Sequence, residues 1–361
     1  SKSLRPLPEK WHGLQDVETR YRHRELDLIS NPEVKQKFVV RSKFLSAMRR
    51  FLDERGFLEV ETPILQPIPG GASARPFVTH HNALDAEFYL RIAPELYLKR
   101  LIVGGFEKIY EIGRCFRNEG IDYSHNPEFT MLEMYQAYVN KDEYIDLIEN
   151  MLRSSIEQAC GREPVEVEGT KLDWFGAWPR VTFRDAIQTS CGLDINELTT
   201  PDAIMKAAAD KQLKVDWKGC VGLGDYYDTL YKATARPELV QPTWVFDYPV
   251  DLKPLTKRHA DDKTKSSSAQ LVVMGAEIVN AYYHELNDPV DQRARLEAQQ
   301  ALRDKGSEDA QWMDEDFLQA LETGMPPLSG MGVGIDRICA MITGSHNLKE
   351  VILFPTLKPK V

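Results

Sequence analysis

The sequence predicts an α+β fold in which an antiparallel β-sheet is flanked by helices. Three observations lead there. One segment ending at Cys115-Phe116-Arg117 and another starting near Pro127-Glu128-Phe129 read as two strands joined by a short polar loop. Strands linked so closely pair antiparallel, because a parallel return needs a crossover of a dozen or more residues. Segments with apolar residues at helical spacing lie on either side of this pair, at 31–56 and 141–159, so helices and strands interleave. The nucleotide signatures of parallel sheets are missing: Gly332-x-Gly334 lacks the third glycine of the dinucleotide fingerprint, and no P-loop pattern occurs.

The elements follow in order. Residues 1–30 are charged and Pro-containing at first, then helical from about Asp16. Asn31-Pro32 starts a helix, Val34, Phe38, Phe44, Leu45, Met48, Phe51 and Leu52 form its apolar face, and Gly56 suits its C-terminal end. A strand begins over 57–60. Pro67, Pro69 and Gly70-Gly71 punctuate a loop. Residues 88–92 read as strand and 94–103 as a short helix. Beyond the strand pair, Tyr144, Ile145, Ile148, Met151, Leu152 and Ile156 share one side of a helix that Gly161 ends. Residues 162–240 carry no catalytic signature and are expected to be an inserted set of helices packed on the sheet's edge. Residues 243–250 and 271–283 read as strands, 289–304 and 314–323 as helices, and a last helix follows Gly334.

Composition bounds the function. The chain has 361 residues, 42% hydrophobic and 28% charged, which is ordinary for a globular protein. No run approaches the roughly 18 apolar residues of a membrane span, so no membrane partner is expected. Five cysteines lie far apart without a CxxC pair, which argues against structural zinc and fits reduced thiols in a cytoplasmic protein. His284-Glu285 is not a zinc-protease motif, since position 288 is Asp288. The net charge of −10 repels phosphates at long range, so any RNA contact must be a local basic patch.

Chemistry concentrates in the strand pair. Arg117 shares a strand face with Glu111, Gly113 and Cys115, and Phe129, Met131, Glu133 and Tyr135 share another. Charges on a buried face are costly unless paired, and an internal Arg117–Glu133 ion pair is the ordinary reading of that pattern.

The segment "FRNEG…HNPEFTMLE" (116–133) resembles motif 2 of the class II aminoacyl-tRNA synthetases, in the form found in lysyl-tRNA synthetases. "RFLDERGFLEVETP" (50–63) resembles motif 1, and "GVGIDR" (332–337) resembles motif 3. "PGGASARPF" (69–77), "IAPELYLKR" (92–100) and "ELNDPVDQR" (285–293) resemble lysyl-type blocks. The likeness runs from about residue 4 to residue 360 and implies the class II antiparallel sheet. It also implies that 1–30 is the connector that follows an anticodon-binding OB-fold, with 31–361 the catalytic domain. Nothing in the chain corresponds to that OB-fold, and a form without the anticodon module is expected.

The resemblance implies activation of L-lysine by ATP, then transfer of the lysyl group to the 3′-terminal ribose at the acceptor end of tRNA(Lys). Joining two anions asks for fixed positive charge and positioning more than for a base. Arg117 matches the motif 2 arginine that bridges the α-phosphate and the substrate carboxylate, and Arg337 the motif 3 arginine at the γ-phosphate and adenine; these are the expected catalytic residues. Phe129 would stack on adenine, with Glu119 near its amino group and His125 near the phosphates. Glu277 matches one carboxylate that holds Mg²⁺. The other position is Gln270, where the family has Glu, and an amide brings no charge. For lysine, Glu95 and Gly71 match the α-amino contacts, while Glu133, Tyr135, Asn280 and Glu285 complete the pocket, with Glu285 and Tyr135 at the side-chain ammonium. Asn280 to Glu285 spans five residues, one more than the family pattern, so a bulge at Tyr282-Tyr283 is needed for both to face the site.

Motif 1 implies a homodimer, with Phe51, Leu52, Phe57 and Val60 offering apolar area around Pro63. Two other functions fit parts of the pattern. One is the related ligase that lysylates elongation factor P, which lacks an anticodon domain. The other is a catalytically impaired regulatory paralogue, for which Gln270 and the extra residue before Glu285 would be the marks.

Overall fold

A computed structural model describes residues 14–307 and 310–359 together with Lys2 and Leu4. The early part of the expected connector, 5–13, lies outside the described residues. Helices α1 (Val17–Arg22) and α2 (Arg24–Ser30) form its remainder, with Asp16 capping α1 by accepting from the Thr19 N–H. Arg24 is buried, pairs with Asp27 at 2.6 Å, and donates to the carbonyls of Lys349 and Leu353 at 2.7 and 3.0 Å. The first helices are thereby clasped to the chain's last segment.

Helix α3 (Pro32–Asp53) starts after Asn31 as the sequence predicts. Strands β1 (Leu58–Glu59), β2 (Leu65–Gln66), β3 (Phe77–His81) and β4 (Ala86–Leu90) lead to α4 (Glu95–Val103). The central pair is β5 (Lys108–Phe116) and β6 (Glu128–Ala137), followed by α5 (Lys141–Cys160). Next come β7 (Val165–Val167), β8 (Thr170–Leu172), β9 (Arg180–Thr182), α6 (Phe183–Cys191), α7 (Pro201–Asp210) and α8 (Leu223–Ala233). The chain continues with β10 (Thr243–Phe246), β11 (Ser268–Val273), β12 (Ala276–Tyr282), α9 (Pro289–Asp304), α10 (Glu315–Gly324), β13 (Leu328–Gly334) and α11 (Ile335–Ile342).

Eight strands form the main sheet in the order β1-β5-β6-β13-β12-β11-β10-β9. It is antiparallel except at its two outer joints, where β1 runs parallel to β5 and β9 to β10. One face carries the largest core: Phe44, Met48 and Leu52 of α3 and Ile145, Ile148 and Leu152 of α5 pack with Leu132, Met134, Met331 and Val333. Alternation along β6 and β13 turns Glu133, Tyr135, Gly330 and Gly332 to the opposite face. That face holds the site.

Three expectations are corrected. Residues 162–240 do contain helices α6–α8, which bury Phe183, Ile187, Ile204 and Leu230 in a core of their own. They also contain the β7–β8 hairpin and β9, the sheet's edge strand. The stretch 271–283 is two strands, because Met274 and Gly275 take positive φ of 52° and 68° and turn the chain. Phe51, Leu52 and Phe57 are buried in the main core and Val60 packs against another, so they offer no apolar area to a second copy. Around them Leu58, Ile64 and Leu65 are exposed instead.

Candidate active site

The inner end of the site is an acidic pocket. Glu95 opens α4 after Pro94, and Lys99 one turn later reaches back to it at 2.6 Å. Lys99 Nζ also lies 2.8 Å from Glu285 Oε2. Glu133 and Tyr135 enter from β6, and the Tyr135 hydroxyl donates to Glu133 Oε2 at 3.1 Å. All five side chains are buried, so three carboxylates share one ammonium. Burial pushes the Glu285 carboxyl up to about 8, with Lys99 opposing and Glu95 adding to the shift. Burial, then the charge of Glu95, raises Glu133 well above the usual range. Burial works against the charge on Lys99, but Glu285 and Glu95 outweigh it and its pKa is raised. Among the described residues Lys99 is the one cation paired with Glu285. Gly330 makes room: a Cβ there would meet the Tyr135 ring and come within 2.5 Å of Glu285 Oε1. Gly71, at φ +85°, packs against Glu95, and its N–H donates to Gln311 Oε1 at 3.2 Å.

The outer end is cationic. The Arg117 guanidinium stands 5.0 Å from the centre of the Phe129 ring, and its buried Nε has no hydrogen-bond partner among the described residues. Its backbone N–H donates to the Pro127 carbonyl at 2.9 Å, which closes the loop between β5 and β6. The expected Arg117–Glu133 ion pair is absent among the described residues. Glu111 pairs with Arg91, which also donates to the Arg114 carbonyl at 2.8 Å, so Arg117 is left without a carboxylate. Arg337, in the first turn of α11, donates to the Glu277 carbonyl at 3.0 Å and lies 3.5 Å from His125 Nε2. Burial lowers the pKa of Arg337 and Glu277 opposes that shift. His125 Nδ1 is 2.9 Å from Asp122. Glu119 is exposed on the same loop.

Between the two ends, Gln270 of β11 pairs in register with Asn280 of β12. A register irregularity at Leu271/Val272 leaves Ile278 out of the ladder, so Glu277 falls opposite Val272. Tyr248 donates its hydroxyl to Gln270 Oε1 at 2.7 Å. Lys253 Nζ donates to Asn280 Oδ1 at 3.0 Å, and Asn280 Nδ2 donates to the Tyr282 hydroxyl at 2.6 Å. Burial lowers the pKa of Lys253, with Glu277 the largest opposing influence.

The extra residue before Glu285 is absorbed one position later than predicted. Tyr282 pairs with Gly330, yet the Glu285 N–H donates to the Leu328 carbonyl at 3.0 Å, a slip of one residue. The chain bends at Tyr283-His284. Tyr283 turns into the main core and donates to Asp247 at 3.0 Å, while His284 is exposed. Glu285 therefore enters the acidic pocket, on the same side of the sheet as Asn280.

Sequence reasoning missed Lys99, Arg91, Gly330, Tyr248, Tyr282 and Lys253. Lys99 was findable, four residues after Glu95 on a helix. Lys253 lies in a loop with no pattern to mark it. As a magnesium site, Glu277 and Gln270 fit poorly: one brings a charge, the other an amide oxygen already accepting from Tyr248. Among the described residues, no group of three or more His, Cys, Asp or Glu could hold a metal ion.

The family model for class II tRNA synthetases (D, K and N) matches residues 16–358. The lysine–tRNA ligase of Moorella thermoacetica is 53% identical over 359 residues, covering 99% of this chain and 73% of that protein. The lysine–tRNA ligase of Pelotomaculum thermopropionicum is 51% identical over 360 residues, covering 100% of this chain and 71% of its own length. That of Clostridium perfringens is 49% identical over 360 residues, covering 99% and 72%.

Proposed function

The chain belongs to the class II tRNA synthetases of the D, K and N group, and on that footing we propose that it is a lysine–tRNA ligase catalytic domain. It activates L-lysine with ATP, giving lysyl-adenylate and pyrophosphate, and passes the lysyl group to the 3′-terminal ribose of tRNA(Lys). The observation that carries the choice of lysine is the buried pocket in which Glu95, Glu133 and Glu285 face one ammonium, Lys99. A long cationic side chain brings the missing charge; an apolar one would leave a buried carboxylate unpaired, at a cost of several kcal/mol.

In this reading Glu285, Glu133 and Tyr135 receive the ε-ammonium, while Glu95 and Gly71 receive the α-amino group. Asn280 borders the carboxylate. Arg117 clamps that carboxylate against the α-phosphate with its planar fork. Phe129 and Arg337 enclose the adenine, Glu119 meets its amino group, and His125 and Arg337 face the outer phosphates. Magnesium is required by ATP's own phosphates. The pair Glu277 and Gln270 does not make a protein site for it.

Residues 1–30 serve as the connector, 31–361 as the catalytic domain, and 162–240 as an insertion within it. The chain acts in the cytoplasm as a homodimer, joined beside the edge strand β1 where Leu58, Ile64 and Leu65 are exposed. No helix of the described residues is long and apolar enough to cross a membrane. Identity of about half with named lysine–tRNA ligases favours tRNA over elongation factor P as acceptor. Arg117, without a carboxylate partner among the described residues, and Arg337, held at the Glu277 carbonyl, argue against an impaired paralogue. Lysine-dependent exchange of pyrophosphate into ATP, with the other amino acids as controls, tests the activation step. Equal exchange with leucine would refute the pocket assignment.

A further inference from the structure

Lys253 is buried among the residues of the site. Its Nζ donates to Asn280 Oδ1 at 3.0 Å and lies 5.1 Å from the Tyr248 ring centre and 5.7 Å from that of Tyr282. Among the described residues no carboxylate lies within ion-pair distance of it. Its largest electrostatic attraction is to Glu277, followed by Asp228 and Glu95. A buried ammonium has three donors, and an amide oxygen answers one of them. Among the described residues Asn280 Oδ1 is its one hydrogen-bond acceptor.

The same neighbourhood has lost negative charge. The carboxylate expected at 270 is the amide of Gln270, directly across the ladder from Asn280. Both amide oxygens on this stretch of the floor are already accepting, Gln270 from the Tyr248 hydroxyl and Asn280 from Lys253. A divalent ion here would meet one carboxylate, Glu277, two engaged amide oxygens, and a repelling ammonium. Hard cations need several free and preferably anionic oxygens. An anion meets the opposite situation.

We propose that Lys253 is the fixed cation of this site, its ammonium held by Asn280 and doing at the α-phosphate and substrate carboxylate what a protein-bound magnesium would otherwise do. This rests on the lysine-activating reading and deepens it. In the step concerned, a carboxylate oxygen of the amino acid forms a bond to the α-phosphorus. The bond from that phosphorus to the bridging oxygen breaks, and pyrophosphate leaves with the electron pair. No proton moves, so the need is for positive charge beside two converging anions, which Lys253 shares with Arg117.

Manganese binding, counted by electron paramagnetic resonance with a non-reacting α,β-methylene ATP analogue, tests this directly. The wild-type protein should hold only the manganese that the nucleotide chelates. The Lys253→Ser/Gln270→Glu double variant should gain one further ion per site. Lys253→Ala should lose at least about tenfold in lysine-dependent pyrophosphate exchange, with no recovery at high magnesium, whereas Lys253→Arg keeps part of the activity. Equal manganese stoichiometry in wild type and double variant overturns the proposal, as does wild-type exchange by a folded Lys253→Ala protein. The count on the wild-type protein stands even if a variant fails to fold. Absence of lysine-dependent exchange in the wild type would instead defeat the proposed function and leave the manganese count to judge Lys253.

Discussion

Lys99 and Glu285 meet at 2.8 Å with both side chains wholly buried, although one belongs to a helix and the other to a chain that has just left its strand. Lys99 is shared with Glu95, so the pair does not neutralise the pocket. That shortfall has consequences for pH. Burial raises the Glu285 carboxyl from an ordinary 4.5 to about 8. Within that window the native protein holds a proton that the unfolded chain has released, so stability without ligand falls as pH rises from 4.5 towards 8. Glu285→Gln should flatten that slope in thermal unfolding, and an unchanged slope would place the effect elsewhere. A bound ε-ammonium favours the carboxylate, so lysine binding near neutral pH should expel a proton. Titration calorimetry in two buffers of different ionisation enthalpy measures it. Glu285→Gln should release fewer protons than the wild type, Glu133 remaining as a second raised carboxyl, and bind lysine on the order of a hundredfold more weakly.

Arg117→Ala should abolish adenylate formation and leave the fold intact. Among the described residues Arg117 pairs with no carboxylate and its Nε has no hydrogen-bond partner, so truncation removes no ion pair from the fold. Loss of a charged, two-pronged contact made in the transition state costs on the order of 3 kcal/mol, at least about a hundredfold in rate. Near-normal pyrophosphate exchange by this variant would refute the assignment.

Gly330→Ala should close the lysine pocket while sparing ATP. The added methyl would press on the Tyr135 ring and on Glu285, both on the amino-acid side of the site. The expected result is a KM for lysine raised at least about tenfold with nucleotide binding little changed, because overpacking a tight site costs roughly 1–3 kcal/mol. A fluorescent ATP analogue and exchange kinetics separate the two.

The bend before Glu285 can be edited. Removing His284, which is exposed, would restore plain alternation from Asn280 and still leave the glutamate on the site face. Lysine activation should stay within about tenfold of wild type, as for a change that keeps the contacts. Removing Tyr283 takes away a core side chain and its bond to Asp247, and soluble yield should fall. The opposite ranking in a paired expression and exchange assay would misplace the bend.

Leu58→Asp should yield a monomer in sedimentation at micromolar concentration while the wild type sediments as a dimer. Leu58 is exposed on the edge strand, so the change should leave the fold unharmed. A wild-type monomer would rule out the pairing itself.

Helix α3, helix α5 and the strand pair were legible because each bears a long periodic pattern with its own start and stop residues. The two-residue β1 falls inside the strand expected over 57–60, but the hairpin β7–β8 and the edge strand β9 were not legible, each strand being three residues long and β9 held by a neighbour distant in sequence. The site divides in the same way. Arg117, Glu133 and Tyr135 stand in one dense segment, and their strand faces follow from counting by two. Lys253, Tyr248 and Arg91 come from loops or flanks whose place depends on the finished tertiary structure. The bulge expected at Tyr282-Tyr283 fell one residue later because Tyr283 had an apolar core to enter and His284 did not.

The strand order has a consequence for how the molecule comes into being. The strand made last, β13, lies in the middle of the sheet, between β6 and β12. As the chain emerges from the ribosome, β1, β5 and β6 can assemble early and β9 to β12 later. Each group then ends in a raw strand edge, β6 on one and β12 on the other, until residues 328–334 arrive to join them. Two unpaired edges of one chain, facing each other across a gap, are open to mispairing for the whole of that interval. The strand that closes the gap also brings Gly330 and Gly332 to the floor of the site, so the moment at which the nascent chain stops being sticky is the moment at which its active site first exists.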